Sequence, residues 1–242
     1  GNRMQYEIKS RPSYSVVEVQ LEPGEQIVTE SGAMAWMNNN MRVSTSTRGG
    51  FFRGLKRKML TKESFFQNTY EAESGTGLLG LVPGQPGDIV AYEMNGSELV
   101  LEKNAYLASS PGIECDAKFD GFRGLFNEGM FVLRTKGTGT LFFNAYGDIE
   151  EVQVNGSYIV DNGHAVAWEP SLEYKITKAR KIRSFLFSDQ LLLRFEGQGK
   201  LWVQSRNPSS LANWVYPFRL KQPKEKNSGS GIGGFGARIG RN

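Results

Sequence analysis

Cysteine and histidine are nearly absent from this chain: Cys115 and His164 are the only ones in 242 residues. One thiol cannot close an intrachain disulfide, which fits a reducing compartment. One imidazole excludes a multi-histidine metal centre and leaves a single base for any nucleophilic triad. Long apolar runs are lacking too. None approaches the roughly 18 residues of a membrane span, and no signal-type stretch follows Met4. A soluble, cytoplasmic protein is expected, with Gly1-Asn2-Arg3 read as a leftover of expression. No staple is needed, because a chain of this size buries roughly 70–75% of its unfolded surface.

The net charge of +4 is unevenly placed. Residues 48–62 carry six basic side chains and no acid, and the Gly/Ser-rich tail from Arg219 sets six more against Glu225 alone. The remainder is net acidic, so a uniformly basic nucleic-acid surface is excluded. In RGGFFRGLKRKMLTKESFF, apolar residues alternate with cations, a composition suited to an anionic membrane surface or to phosphates. Phe52-Arg53-Gly54-Leu55 recurs at 122–125, which marks that core as architectural. Lys56-Arg57-Lys58 does not recur. Arg53, Lys56, Arg57 and Lys58 are therefore the candidate contacts for a polyanion or membrane, against the ordinary role of a charge run as a solvated face.

Glycine pairs recur at Gly75-Thr76-Gly77, Gly137-Thr138-Gly139 and Gly197-Gln198-Gly199, at intervals of about 60 residues that signal internal repetition. Gly-Asp-Ile recurs at 87–89 and 147–149. Ala33-Met34-Ala35-Trp36, Tyr106-Leu107-Ala108-Ser109 and Ala165-Val166-Ala167-Trp168 align downstream. Strand-like sequence flanks each glycine pair and no helix follows, so a phosphate-cradling loop is excluded and a bend or close backbone approach is expected. Period-two patterning and dense turn signals read as sandwich or barrel structure. Asn95-Gly96 and Asn155-Gly156 predict tight hairpins. Asn207 followed by Pro208 predicts a short helix over 208–215, and a second is expected through Leu55–Leu60.

The fold expected is all-β, with three tandem sandwich-like repeats about a pseudo-threefold axis. Residues 4–72 form the first, with the basic insertion 48–62. Residues 73–134 form the second, 135–218 the third with its helix, and 219–242 the tail. Chemistry is sparse in this frame. His164 occupies a place that the other repeats fill with small or aromatic residues, which favours packing over catalysis. Glu150 and Glu151 point to opposite faces of a strand. Glu114 and Asp116 share a face, at a spacing open to a hydrolytic pair or a calcium ligand set, against the commoner role of such charges in protecting a solvated strand edge. Trp36, Trp202, Trp214 and Tyr216 serve either an interface or the core.

IVDNGHAVAWEPSLEYKI (159–176), FRGLFNEG (122–129), TGTLFFNAYGDIEE (138–151) and LWVQSRNPSSLANWV (201–215) together resemble the bacterial relatives of the "altered inheritance of mitochondria twenty-four" family. Met4-Gln5-Tyr6-Glu7-Ile8 and NAYLASSPGIE also fit. The resemblance implies a β-rich, double-stranded β-helix fold similar to that of the tryptophan RNA-binding attenuation protein. It also implies a link to membrane or envelope organisation, and it transfers no catalytic residue. A non-enzymatic, homo-oligomeric binding or assembly module without a cofactor is expected, with a protein or an anionic membrane surface as partner. Binding of RNA or another polyanion is the alternative.

Overall fold

The structure, a computed structural model, describes residues 3–46, 67–116, 132–178 and 191–220. The expected second helix, the basic insertion, the 122–129 motif and the tail from residue 221 lie outside them. Alternation makes the strands: in β2 (Val16–Leu21), Val17, Val19 and Leu21 are buried while Glu18 and Gln20 face outward, the period of two that a half-buried strand requires. Around it run β1 (Gln5–Lys9), β3 (Gln26–Glu30), β4 (Met34–Met37), β5 (Met41–Ser46), β6 (Gln67–Ala72) and β7 (Gly77–Leu81). Next come β8 (Ile89–Glu102), β9 (Tyr106–Ser109), β10 (Ile113–Asp116) and β11 (Val132–Asn144). The last are β12 (Ile149–Asp161), β13 (Ala165–Trp168), β14 (Glu173–Lys178) and β15 (Leu191–Gln204). The all-β expectation holds.

Pairing follows a regular scheme. β8 and β11 lie antiparallel over their whole length, with β9 and β10 both on β11. β12 and β15 pair likewise, with β13 and β14 both on β15. Nearer the N-terminus β2 pairs with β7 and β3 with β6, β4 lying on β7 and β5 on β6. The short strands also bridge outward, β9 to β3 and β13 to β8. The result is a four-stranded sheet, β1-β2-β7-β4, and an eleven-stranded sheet. A threefold arrangement within the chain would also pair β4 with β12. Among the described residues, β4 ends the small sheet and β12 ends the path of the large one.

Asn-Gly departs from the sequence expectation. β8 and β12 run straight through Asn95-Gly96 and Asn155-Gly156 instead of turning back. At the first, the β8–β11 register shifts between Gly137 and Thr138, leaving Gly96 as the extra residue with φ +67°. Its N–H donates to Thr138 Oγ1 at 3.0 Å. The positive φ that suits a hairpin also suits a bulge, and continuous pairing with β11 decides for the bulge. At the second, Gly156 pairs with Gly197 with no shift.

Three apolar clusters fill the interior. The first joins β2, β3, β6 and β7 to Leu107 and Ala108 of β9; the second joins β8 and β11 to Val166 and Ala167 of β13. The third is built on β12, β14 and β15, with Trp168 packed edge-on against Tyr174 and Phe195 at 4.9 and 5.2 Å. Helix α1 (Pro208–Val215) forms where Asn207 and Pro208 predict it, and Asn207 Oδ1 accepts from Ser209 N at 2.9 Å.

Glu30, at the end of β3, is only partly ionised at neutral pH: burial pushes its carboxyl up to about 7, with Lys103 only partly offsetting that. A carboxyl raised in the folded state contributes stability that is complete below its unfolded pKa and lost as pH rises through about 7. Glu30→Gln is therefore expected to stabilise the protein by about 2 kcal/mol at pH 8 and by little at pH 4. Urea unfolding at the two pH values tests this, and an equal gain at both would show the pH dependence to lie elsewhere.

Candidate functional site

The four basic residues singled out by sequence, Arg53, Lys56, Arg57 and Lys58, lie outside the described residues. His164 ends a 3-10 turn, Asn162–His164, and its Nδ1–H donates to the Gln204 carbonyl at 2.7 Å. Gln204 also donates from Nε2 to Gly163 O and accepts from Tyr146 N, both at 2.8 Å. Asp161 caps the same turn, accepting from Gly163 N at 2.8 Å. Glu169 accepts from Lys200 N at 2.6 Å. These bonds hold the imidazole against backbone. Among the described residues, no group of three His, Cys, Asp or Glu side chains is placed to hold a metal ion.

The glycine pairs act through close approach. Gly137 and Gly139 sit inside β11 at φ +140° and +137°. A Cβ on Gly137 would stand 2.0 Å from the Gly112 carbonyl oxygen, and one on Gly139 would stand 2.4 Å from Ser110 Cβ. In β15, the Ser171 hydroxyl and Leu172 cross Gly199 in the same way. The glycines admit a crossing chain, and among the described residues no helix terminus faces them.

Gly-Asp-Ile is a junction. Asp88 accepts from Arg11 Nε and Nη2 at 3.0 Å each, from Ser15 Oγ at 2.7 Å and from Ile89 N at 2.8 Å. Burial pushes its carboxyl up, yet these donors outweigh that and hold it below the ordinary carboxylate range. Ser15 N donates to Gly87 O, and Gly87 forms a parallel bridge to Gly147. At the second copy of the motif, Asp148 N donates to Ser205 Oγ at 2.9 Å.

One exposed apolar surface is the margin of the small sheet. Trp36 of β4 lies flat over Gly80 of β7, where a Cβ would stand 2.1 Å from its ring. Beside it, the Glu18 carboxylate takes Lys9 Nζ at 2.7 Å and is held low chiefly by that lysine. With Met37, Leu78, Gln20 and Gln5 they line an open depression of about 510 Å³. Of the tryptophans weighed from sequence, Trp202 is core, edge-on to Tyr92 and Phe143 at 5.5 and 5.6 Å. Trp36 and Trp214 are exposed. A second apolar surface is the C-terminal arm: α1 buries no residue, and Trp214, Tyr216, Phe218 and Leu220 all face solvent. Arg219 lies 3.6 Å over the Tyr216 ring.

The strand register corrects one alignment read from sequence. Met34, Trp36 and Met37 sit opposite Leu81, Gly80 and Leu79 of β7. Tyr106, Ala108 and Ser109 sit opposite Phe143, Phe142 and Leu141 of β11, and Ala165, Ala167 and Trp168 opposite Val203, Trp202 and Leu201 of β15. Trp36 therefore corresponds to Ala108 and Ala167, one place along from the sequence alignment. The signal was present: a tryptophan in SGAMAWMNNN stands where the other copies carry alanine.

The chain is thus a β-rich protein of two sheets whose small-sheet margin and C-terminal arm expose apolar side chains. The family profile described as Mitochondrial biogenesis AIM24 matches residues 6–206, and the chain belongs to that family, as its motifs suggested. It is 30% identical over 222 residues to an uncharacterised protein of Streptococcus pyogenes serotype M6, covering 87% of this chain and 89% of that one. A crystal structure of a Streptococcus pyogenes protein, 29% identical, superposes with a TM-score of 0.72 over 90% of this chain and 100% of that one.

Proposed function

We propose that this protein is a non-enzymatic, homo-oligomeric assembly module, built from three tandem units of one strand plan. The pairings support unit limits near 16–81, 89–144 and 149–204, because each glycine pair falls in or beside the closing strand of a unit and not at its start. A ring-forming fold similar to the tryptophan RNA-binding attenuation protein is consistent with a second and a third unit that each lend a short strand to the unit before. The observation that carries the proposal is the apolar margin at Trp36, Met37 and Leu78, with β4 carrying no partner on its outer side among the described residues. Open strand edges bearing large apolar side chains attract other chains. Native mass spectrometry of the purified protein is expected to show a defined multimer of one chain. A monomer at micromolar concentration would refute the reading.

A second reading, attachment to a membrane or envelope surface, rests on the C-terminal arm. Aromatic residues beside arginine are the composition of an interfacial anchor. Trp214→Ala with Phe218→Ala is expected to reduce sedimentation with vesicles of mixed neutral and anionic lipid at least about fivefold. Unchanged sedimentation would remove the arm from this role. No helix among the described residues is long and apolar enough to cross a membrane.

A further inference from the structure

We propose that the partner is a second copy of this chain, and that β4 of one copy pairs antiparallel with β12 of the next, Met37 opposite Ile159 and Trp36 opposite Val160. This rests on the three-unit assembly reading above.

The argument is internal to the chain. The same junction occurs twice within it. β9 crosses to β3, with Ser109 opposite Val28 and Ala108 opposite Thr29. β13 crosses to β8, with Trp168 opposite Val100 and Ala167 opposite Leu101. By register, Trp36 and Met37 hold the places of Ala108 and Ser109, and of Ala167 and Trp168. On the receiving side, Glu102 and Asp161 each cap the 3-10 turn that ends their strand. Counting back from those caps, Ile159 and Val160 hold the places of Val100 and Leu101.

Burial separates the made junctions from the unmade one. All eight residues of the two internal junctions are at most 4% exposed. Trp36, Met37 and Ile159 are 46%, 41% and 40% exposed, while Val160 is 9% exposed and already packs in the third cluster. Likewise, the first and second apolar clusters each take residues from a short strand of the following unit, whereas the third takes none from β4. Among the described residues, the three units thus leave a donor strand unpaired on one side and an acceptor strand unpaired on the other.

Such ends are complementary and not self-complementary, so the contact is head-to-tail. It closes into a ring if the rotation per copy divides the circle, and otherwise grows as a filament. Trp36 then supplies a large aromatic anchor at the one junction that must hold separate chains, where alanine suffices inside the chain.

The test is made on the full chain with two single variants, Met37→Lys and Ile159→Glu, and with Val43→Lys as an equally exposed control on β5. Native mass spectrometry and light scattering read the assembly, and thermal unfolding confirms that each variant is folded. Each single variant is expected to be monomeric, its association weakened at least about 100-fold. Mixing the two is expected to restore assembly, because the intact β4 of one meets the intact β12 of the other and the remaining junction pairs lysine with glutamate. Val43→Lys is expected to assemble like the parent. A multimer that both single variants preserve, or that Val43→Lys also disrupts, would overturn this pairing while leaving the assembly reading standing. A mixture that stays monomeric would overturn it as well. A monomeric parent protein would overturn both readings.

Discussion

Replacing Gly137 with alanine is expected to lower stability by about 3 kcal/mol or more. Two costs add. The backbone at Gly137 has φ +140°, a region that L side chains rarely enter. The new methyl would also meet the Gly112 carbonyl oxygen at 2.0 Å and Ile113 Cα at 3.1 Å, both main chain. Main chain cannot rotate aside, so either the 110–113 segment shifts or β11 bends. A shift would strain Ser110 N→Thr140 O at 2.9 Å and Thr138 N→Gly112 O at 3.3 Å. Gly84 is the matched control, with nothing within 4 Å of its notional Cβ and an ordinary φ. Gly84→Ala is expected to stay within about 0.5 kcal/mol of the parent. The midpoint of urea unfolding at constant slope reads both. A loss below about 1 kcal/mol for Gly137→Ala would mean that the crossing segment yields freely and the glycine is not required by close approach.

Asp88→Ala is expected to cost about 3 kcal/mol at pH 7, and Asp88→Asn roughly half of that. Alanine leaves the Ser15 hydroxyl, the Ile89 N–H and the Arg11 guanidinium without their acceptor. Asparagine keeps one oxygen for the first two. The ion pair itself contributes modestly, because Arg11 is half exposed. The sign of the pH dependence follows from the lowered carboxyl. Its contribution is complete above the ordinary carboxylate pKa and is lost as pH falls through the lower folded value. Parent and Asp88→Asn should therefore converge as pH falls below the ordinary carboxylate range. A constant difference from pH 7 down to pH 2.5 would assign the effect to shape instead of charge. Glu30 acts in the opposite sense, so the two carboxyls bound the range of greatest stability from both sides.

Much of the architecture was legible because its causes are local. Alternation in SVVEVQL needs only a neighbour on each face to become β2. Asn207 and Pro208 terminate a chain direction and start a helix whatever surrounds them. Gly-Thr-Gly was readable as scaffold because a phosphate loop demands a following helix, which the flanking sequence could not supply. Family membership was legible in ordered motifs between Met4 and Val215, and the family profile matches residues 6–206. The candidate surface was less legible. The basic insertion stood out by charge, whereas the apolar margin hides in MAWM, an ordinary strand tetrapeptide.

By itself, the amino-acid order determined the all-β class, the capped helix at Pro208–Val215, the recurrence of motifs and the scarcity of histidine and cysteine. Tertiary structure alone decided that Asn95-Gly96 is a bulge inside a long strand, that Trp202 is core while Trp36 is surface, and that the short-strand register is shifted by one residue. The reason is that strand pairing is non-local. Whether a glycine turns or bulges, and whether a tryptophan is covered, depends on the strand that lies beside it, and that partner is chosen by the sheet as a whole.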